Sequence, residues 1–173
     1  MKKIILSIVA LAVIVCSCSS QEQIDVAQEE EAIKNVIKQE IDLWRTQDIK
    51  EAEFYKKADY LRLIYNNGNS HQETVGWDSL YASVKRITEA DWSEASDIKF
   101  ECKDFHIKVY DDVAWAVYEV PLSWIWKGEP GESSSTKVTF LEKVDGYWKI
   151  VLNSQTTMNP CQEDEDEEDE TEE

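Results

Sequence analysis

The apolar residues of this chain recur first at a spacing near 3.6 and then at a spacing of two. Ile33, Val36, Ile37, Ile41 and Trp44 fall on one face at helical spacing and predict a helix over 28–46. A shorter helix is expected over about 49–57. A strand follows in "YLRLIYN", stopped by the turn run Asn66-Asn67-Gly68-Asn69. "GWDSLYASVKRITEA" predicts a third helix, with Leu80, Val84 and Ile87 on its apolar side and Asp78 near its start. The period then changes to two, which predicts strands over about 97–110, 113–127, 134–144 and 147–157. Their turns are expected at Asp111-Asp112, "KGEPGES" and Asp145-Gly146. Three helices, an interposed strand and a four-strand antiparallel meander predict an α+β fold with the helices on one face of the sheet.

The opening "MKKIILSIVALAVIVCSCSS" lies outside that domain pattern. Lys2 and Lys3 precede an apolar run, Ile4 to Val15, that is too short to span a bilayer, so it predicts an export signal. Its end resembles a bacterial lipoprotein signal. Cys18, with Ser17 before it, is the expected lipidated residue; Cys16, preceded by the bulky Val15, fits that role less well. A plain secreted protein cut near Ser17 or Ser20 is the alternative. Acyl chains on Cys18 would tether the protein to the membrane of a bacterial cell envelope. Ser19 after the anchor points to the outer membrane under the sorting rule of enteric bacteria. The expected division is a signal over 1–17, a lipidated cysteine and spacer over 18–27, one domain over 28–159 and an acidic tail over 160–173.

Charge narrows the partners. The whole chain carries −18. Loss of 1–17 removes two lysines and leaves 16 basic against 36 acidic side chains, or −20. About half of that sits in "EDEDEEDETEE", ten acids in eleven residues, a block that repels itself and is expected to stay disordered. Weak Ca²⁺ capture or a cationic partner is its functional alternative, although the run lacks the turn glycine of a calcium loop. No basic stripe is present to displace counterions from phosphates, which argues against nucleic acid as a partner. The sequence has no CxxC, HExxH or Cys/His cluster, so no metal or other cofactor is expected. Of the four cysteines, Cys102 and Cys161 would remain after processing. In an oxidising compartment they either bridge or stay as one buried and one exposed thiol.

Two stretches carry a family resemblance. "AIKNVIKQEIDLWRTQDIKEAEFYKKADYLRLIYNNG" resembles the opening of the nuclear-transport-factor-2-like (NTF2-like) superfamily, with its SnoaL-like and DUF4440-like branches. There a long helix ends in a turn carrying Asp, and a short helix and the first strand follow. "KVTFLEKVDGYWKIV" is similar to that superfamily's closing hairpin. The resemblance spans Glu29 to Met158 and implies a cone, a curved sheet wrapped round helices with a pocket at its wide end. It also implies homodimers through the outer face of the sheet. Ketosteroid isomerases are the superfamily's clearest enzymes, and their chemistry needs a strand-end carboxylate base, a helix-1 tyrosine and a protonated acid on a later strand. The matching positions here hold Tyr65 (or Ile64), Glu40, and Ser135 with Thr136, so none of the three groups is present in kind.

Two acids remain as candidates for catalysis. Glu40 lies inside the helical apolar stripe between Val36 and Trp44, where a carboxylate needs partners to be buried. Glu119 interrupts "VAWAVYEVPLSWIW" on the face of Trp115, Val117 and Ile125, while Ala116, Tyr118, Val120, Leu122 and Trp124 take the other. Facing each other in the cone, the two acids would serve as base and acid. Otherwise Glu40 reaches the rim to pair with a lysine, and Glu119 faces solvent or a dimer seam. His71 in a polar loop and His106 on a strand have no Ser or Cys partner at a nucleophile's spacing. The apolar residues on both faces of 113–126 imply a covered outer face, hence a homodimer. The sharper reading is a pocket for a small apolar or aromatic ligand, walled by Trp44, Tyr65, Trp115 and Glu119, with Asn153 and Gln155 supplying neutral hydrogen bonds. The expected protein is therefore a lipid-anchored binding domain. The alternatives are a small hydrolase, lyase or isomerase using Glu40 and Glu119, or an envelope interaction protein without a ligand.

Overall fold

A computed structural model describes residues 25–46 and 49–158. The expected signal, Cys16, Cys18, Cys161 and the acidic tail lie outside the described residues.

Helix α1 runs Val26–Thr46, two residues longer at its start than the apolar pattern predicts. The reason is Asp25: its carboxylate accepts the Gln28 N–H at 3.2 Å and its carbonyl accepts the Glu29 N–H at 3.0 Å. The last residues assigned to the spacer are thus helical. Ile33, Ile37, Ile41 and Leu43 form the buried face. The next segment is not the α-helix expected over 49–57 but a 3₁₀ turn over Ile49–Phe54. It ends early because the chain docks on the sheet, where Tyr55 bridges Ile150 and the Lys56 N–H donates to the Ile150 carbonyl at 2.9 Å. Helix α2, Trp77–Thr88, buries Leu80 and Val84.

Seven strands make one curved sheet among the described residues: β1 Arg62–Asn66, β2 His71–Val75, β3 Ala95–Phe100, β4 Lys103–Tyr110, β5 Val113–Trp126, β6 Glu129–Val144 and β7 Tyr147–Met158. The order is β2-β1-β7-β6-β5-β3, with β4 also on β5. β1 runs parallel to β7 and the other pairs are antiparallel.

Three departures from the predicted strands have physical causes. β2 falls in the expected loop "NNGNSHQET"; it is an edge strand held by backbone pairing to β1, and its side chains are too polar to show a period. The strand expected over 97–110 is two, β3 and β4. Asp97 and Asp104 sit at positive φ (51° and 54°), where bulges let both segments follow the same edge of β5. The turn expected over "KGEPGES" shrinks to Lys127-Gly128, both at positive φ (52° and 87°), the pairing that suits strand twist in a two-residue hairpin. Pro130 and Gly131 are tolerated inside β6 because β7 pairs only from Ser134 onward.

The core lies between the helices and the concave face. Ile33, Ile37, Leu43, Leu61, Ala116 and Ile150 are fully shielded there. A buried Leu or Ile side chain contributes about 1.5–3 kcal/mol. The start of α1 is fastened to the β6–β7 hairpin through Glu29, which takes the Lys143 ammonium at 2.6 Å and the Trp148 indole N–H at 2.7 Å. The convex face carries Trp115, Val117, Val138 and Phe140 in register across β5 and β6.

Candidate ligand cavity

β6 and β7 reverse the usual distribution of polarity. On β6 the core-facing positions are Ser135, Lys137, Thr139 and Leu141, all buried, while Phe140 is 45% exposed on the outside. On β7 Trp148 and Ile150 face inward, and Val151 is then an extra residue, because Leu141 pairs Ile150 but Phe140 pairs Leu152. That bulge changes the parity of the strand. Without it Leu152 would follow Ile150 inward; with it Asn153, beside Leu63 of β1, and Gln155, beside Tyr65, turn to the concave face.

These residues floor a cavity of about 570 Å³. From α1 come Glu40, Ile41 and Trp44, and from β1 Leu63 and Tyr65. Val84 and Ile87 of α2 close one side, with Trp92 just beyond that helix. Phe100 of β3 and Val120, Leu122, Trp124 and Trp126 of β5 form the opposite wall. Trp124 lies over Gly131, the residue it pairs with across the hairpin; a Cβ at Gly131 would come within 2.5 Å of the indole. The indole N–H of Trp92 donates to the Ile87 carbonyl at 2.9 Å, which anchors it at the end of α2.

Glu40 is buried, and three side chains donate to it. Its carboxylate takes the Lys137 ammonium at 3.0 and 3.2 Å, the Trp44 indole N–H at 2.9 Å and the Tyr55 hydroxyl at 3.3 Å. Lys137 is itself only 5% exposed, so the two charges neutralise each other out of water. Burial, with the Glu40 charge in second place, holds the hydroxyls of Tyr55 and Tyr118 well above the usual tyrosine range. Both phenols are therefore neutral, Tyr55 donating to Glu40 and Tyr118 sharing a 3.1 Å hydrogen bond with Thr139. Further along, Gln155 Nε2 donates to Ser135 Oγ at 3.1 Å and Thr157 Oγ1 at 3.3 Å, and those two hydroxyls share a bond of 2.9 Å. Asn153 is different. It is 2% exposed, yet neither its Oδ1 nor its Nδ2 bonds to any described protein group.

Trp44, Tyr65, Asn153 and Gln155 thus meet at one cavity, with Glu40 at its floor. Trp115 does not reach it. It stands on the outer face of β5, by a shallow cleft with Lys34, His106 and Lys108. Glu119 is also turned outward, exposed and 3.5 Å from Lys103. The correction is one of faces: Ala114, Ala116, Tyr118 and Val120 take the inner side of β5, so the residues between them cannot. With Glu119 outside, the two-carboxylate arrangement does not exist. His71 is exposed on β2 and His106 on β4. Lys137 is the residue that sequence reasoning missed; its one signal is its place between Ser135 and Thr139 on an alternating strand. Cys102 is half-buried, and burial pushes its thiol up to about 11. Among the described residues no Cys, His, Asp or Glu cluster could hold a metal, and no helix is long and apolar enough to cross a membrane.

Residues 33–156 match the SnoaL-like domain. The chain belongs to that family. Solved structures agree on the SnoaL-like domain's NTF2-like fold. An NTF2-like superfamily protein from Salmonella enterica superposes with a TM-score of 0.63 at 14% identity, over 81% of this chain and 98% of that one. A protein of unknown function from Mycobacterium tuberculosis gives 0.64 at 14% identity, over 83% and 80%. An NTF-2 like protein of unknown function from Shewanella oneidensis gives 0.56 at 20% identity, over 74% and 98%. No protein of curated function matches the chain. At such identities the SnoaL-like domain shares a fold with these proteins, and its own residues must carry the functional argument.

Proposed function

We propose that the SnoaL-like domain is a binding module for a small, largely apolar ligand, held at the bacterial cell envelope by lipid on Cys18. The carrying observation is the cavity itself. About 570 Å³ with walls of tryptophan, phenylalanine and leucine suits a molecule of two or three rings. Its charges point to binding over chemistry, because Glu40 already accepts from Lys137, Trp44 and Tyr55. Protonating Glu40 would leave the buried Lys137 ammonium without its counter-charge. The envelope part of the proposal rests on the lipoprotein-like run ending in Ser17-Cys18. A Cys18→Ser variant still in the membrane fraction would contradict it.

A thermal-shift screen of small aromatic compounds tests the binding reading. Compounds that raise the Tm of the parent but not of Leu122→Trp, which fills the cavity, are the expected result. Hits that stabilise both proteins equally bind elsewhere and would remove the proposal. Turnover of a hit, lost in a Glu40→Leu/Lys137→Met double variant, would replace binding with catalysis.

A further inference from the structure

Resting on that reading, we infer that the cavity selects an uncharged ligand carrying a lactam or carboxamide edge, seated on Asn153. Most polar groups on the floor are engaged within the protein. Glu40 and Lys137 hold each other, Ser135 bonds Thr157, and the amide nitrogen of Gln155 donates to both hydroxyls. The indole N–H groups of Trp44 and Trp92 are committed to Glu40 and Ile87, which leaves their ring faces for the ligand. On the floor, Asn153 alone has neither its amide donor nor its amide acceptor bonded to a described protein group, and both atoms are buried, beside Leu63.

A buried amide without partners costs about 1–3 kcal/mol for each group left unsatisfied, so one that lines a cavity is a recognition element in wait. Its donor and acceptor sit side by side in one plane. A cis-amide N–H and C=O answers both at once, whereas a lone hydroxyl, ketone or hydrocarbon cannot. Charge is selected against as well. Lys137 and Glu40 are already neutralised, and the other cation at the cavity, Arg86, is exposed to water on α2. A carboxylate or ammonium at the floor would therefore be buried without a counter-charge. Flat rings against the indole faces and a lactam edge on Asn153 satisfy both constraints.

Isothermal titration with 2-quinolone, N-methyl-2-quinolone and naphthalene tests this on the parent and on Asn153→Leu. The variant removes an unpartnered polar group, so it should fold and show a Tm equal to or above the parent's. In the parent, 2-quinolone should bind about tenfold or more tighter than naphthalene, with the N-methyl compound in between for want of a donor. In Asn153→Leu that preference should vanish. Equal binding of 2-quinolone and naphthalene by the parent, or a preference that survives in Asn153→Leu, overturns the inference and leaves an apolar binding cavity. Failure of all three to bind the parent overturns both the inference and the binding reading.

Discussion

Glu40 and Lys137 lie 97 residues apart in the chain and meet inside the cavity floor. A buried ion pair of this kind contributes little net stability, but breaking it is costly because one charge is stranded. Glu40→Gln should destabilise the domain by about 3–5 kcal/mol in urea denaturation, and Lys137→Met by a similar amount. The Glu40→Leu/Lys137→Met double variant should recover most of the loss. Single variants as stable as the parent would mean that solvent reaches the pair. The same reasoning separates Glu119, whose exposed pair with Lys103 is worth at most about 1 kcal/mol.

The β5–β6 hairpin shapes the wall of the cavity through one cross-strand pair. Trp124 occupies the space that any side chain at Gly131 would need. Gly131→Ala should therefore displace the indole, cost about 1–3 kcal/mol and shift the tryptophan emission spectrum. Unchanged emission together with unchanged stability would show that the indole has another place to pack. On the adjacent hairpin, Asp145-Gly146 is a two-residue turn at positive φ (51° and 84°), and the sequence announces it directly. The Val151 bulge on β7 has no such signature, although it decides which residues enter the cavity.

Across the whole molecule, acidic and alkaline limits of stability have separate origins. The Lys143 ammonium and the Trp148 indole hold Glu29 below its ordinary value near 4.5, and Lys56 with Tyr60 does the same for Glu142. Depressed carboxylates contribute stability that is fully present above their unfolded value and is lost as pH falls through the folded one. Burial raises Tyr55 and Tyr118 above 10, so their contribution is complete below about pH 10 and is lost as pH rises further. Calorimetric Tm should be flat from about pH 5 to 9 and fall on both sides. Glu29→Gln should flatten the acid limb and Tyr55→Phe the alkaline limb. A profile that tracks net charge alone, unaltered by either variant, would refute this assignment.

The sequence by itself determined the α+β class, the long helix, the Asp145-Gly146 hairpin and the place of Glu40 in the apolar stripe. Each rests on a local rule: helical spacing, strand alternation or turn conformation, all legible within a few neighbouring residues. The tertiary structure alone decided which face of each strand is concave. β2 is held at the sheet edge by its backbone pairing with β1, so its polar sequence hides it. Lys137 faces inward against its polarity because Glu40 waits for it, while Phe140 faces outward against its own. Trp115 and Glu119 share the wrong side of β5 by the same parity that brings Leu122 and Trp124 in. A single extra residue in β7 exchanges Leu152 for Asn153 at the cavity floor. Alternation has a period of two, so it names two faces but cannot say which is inside; pairing and bulges contributed by distant strands settle that.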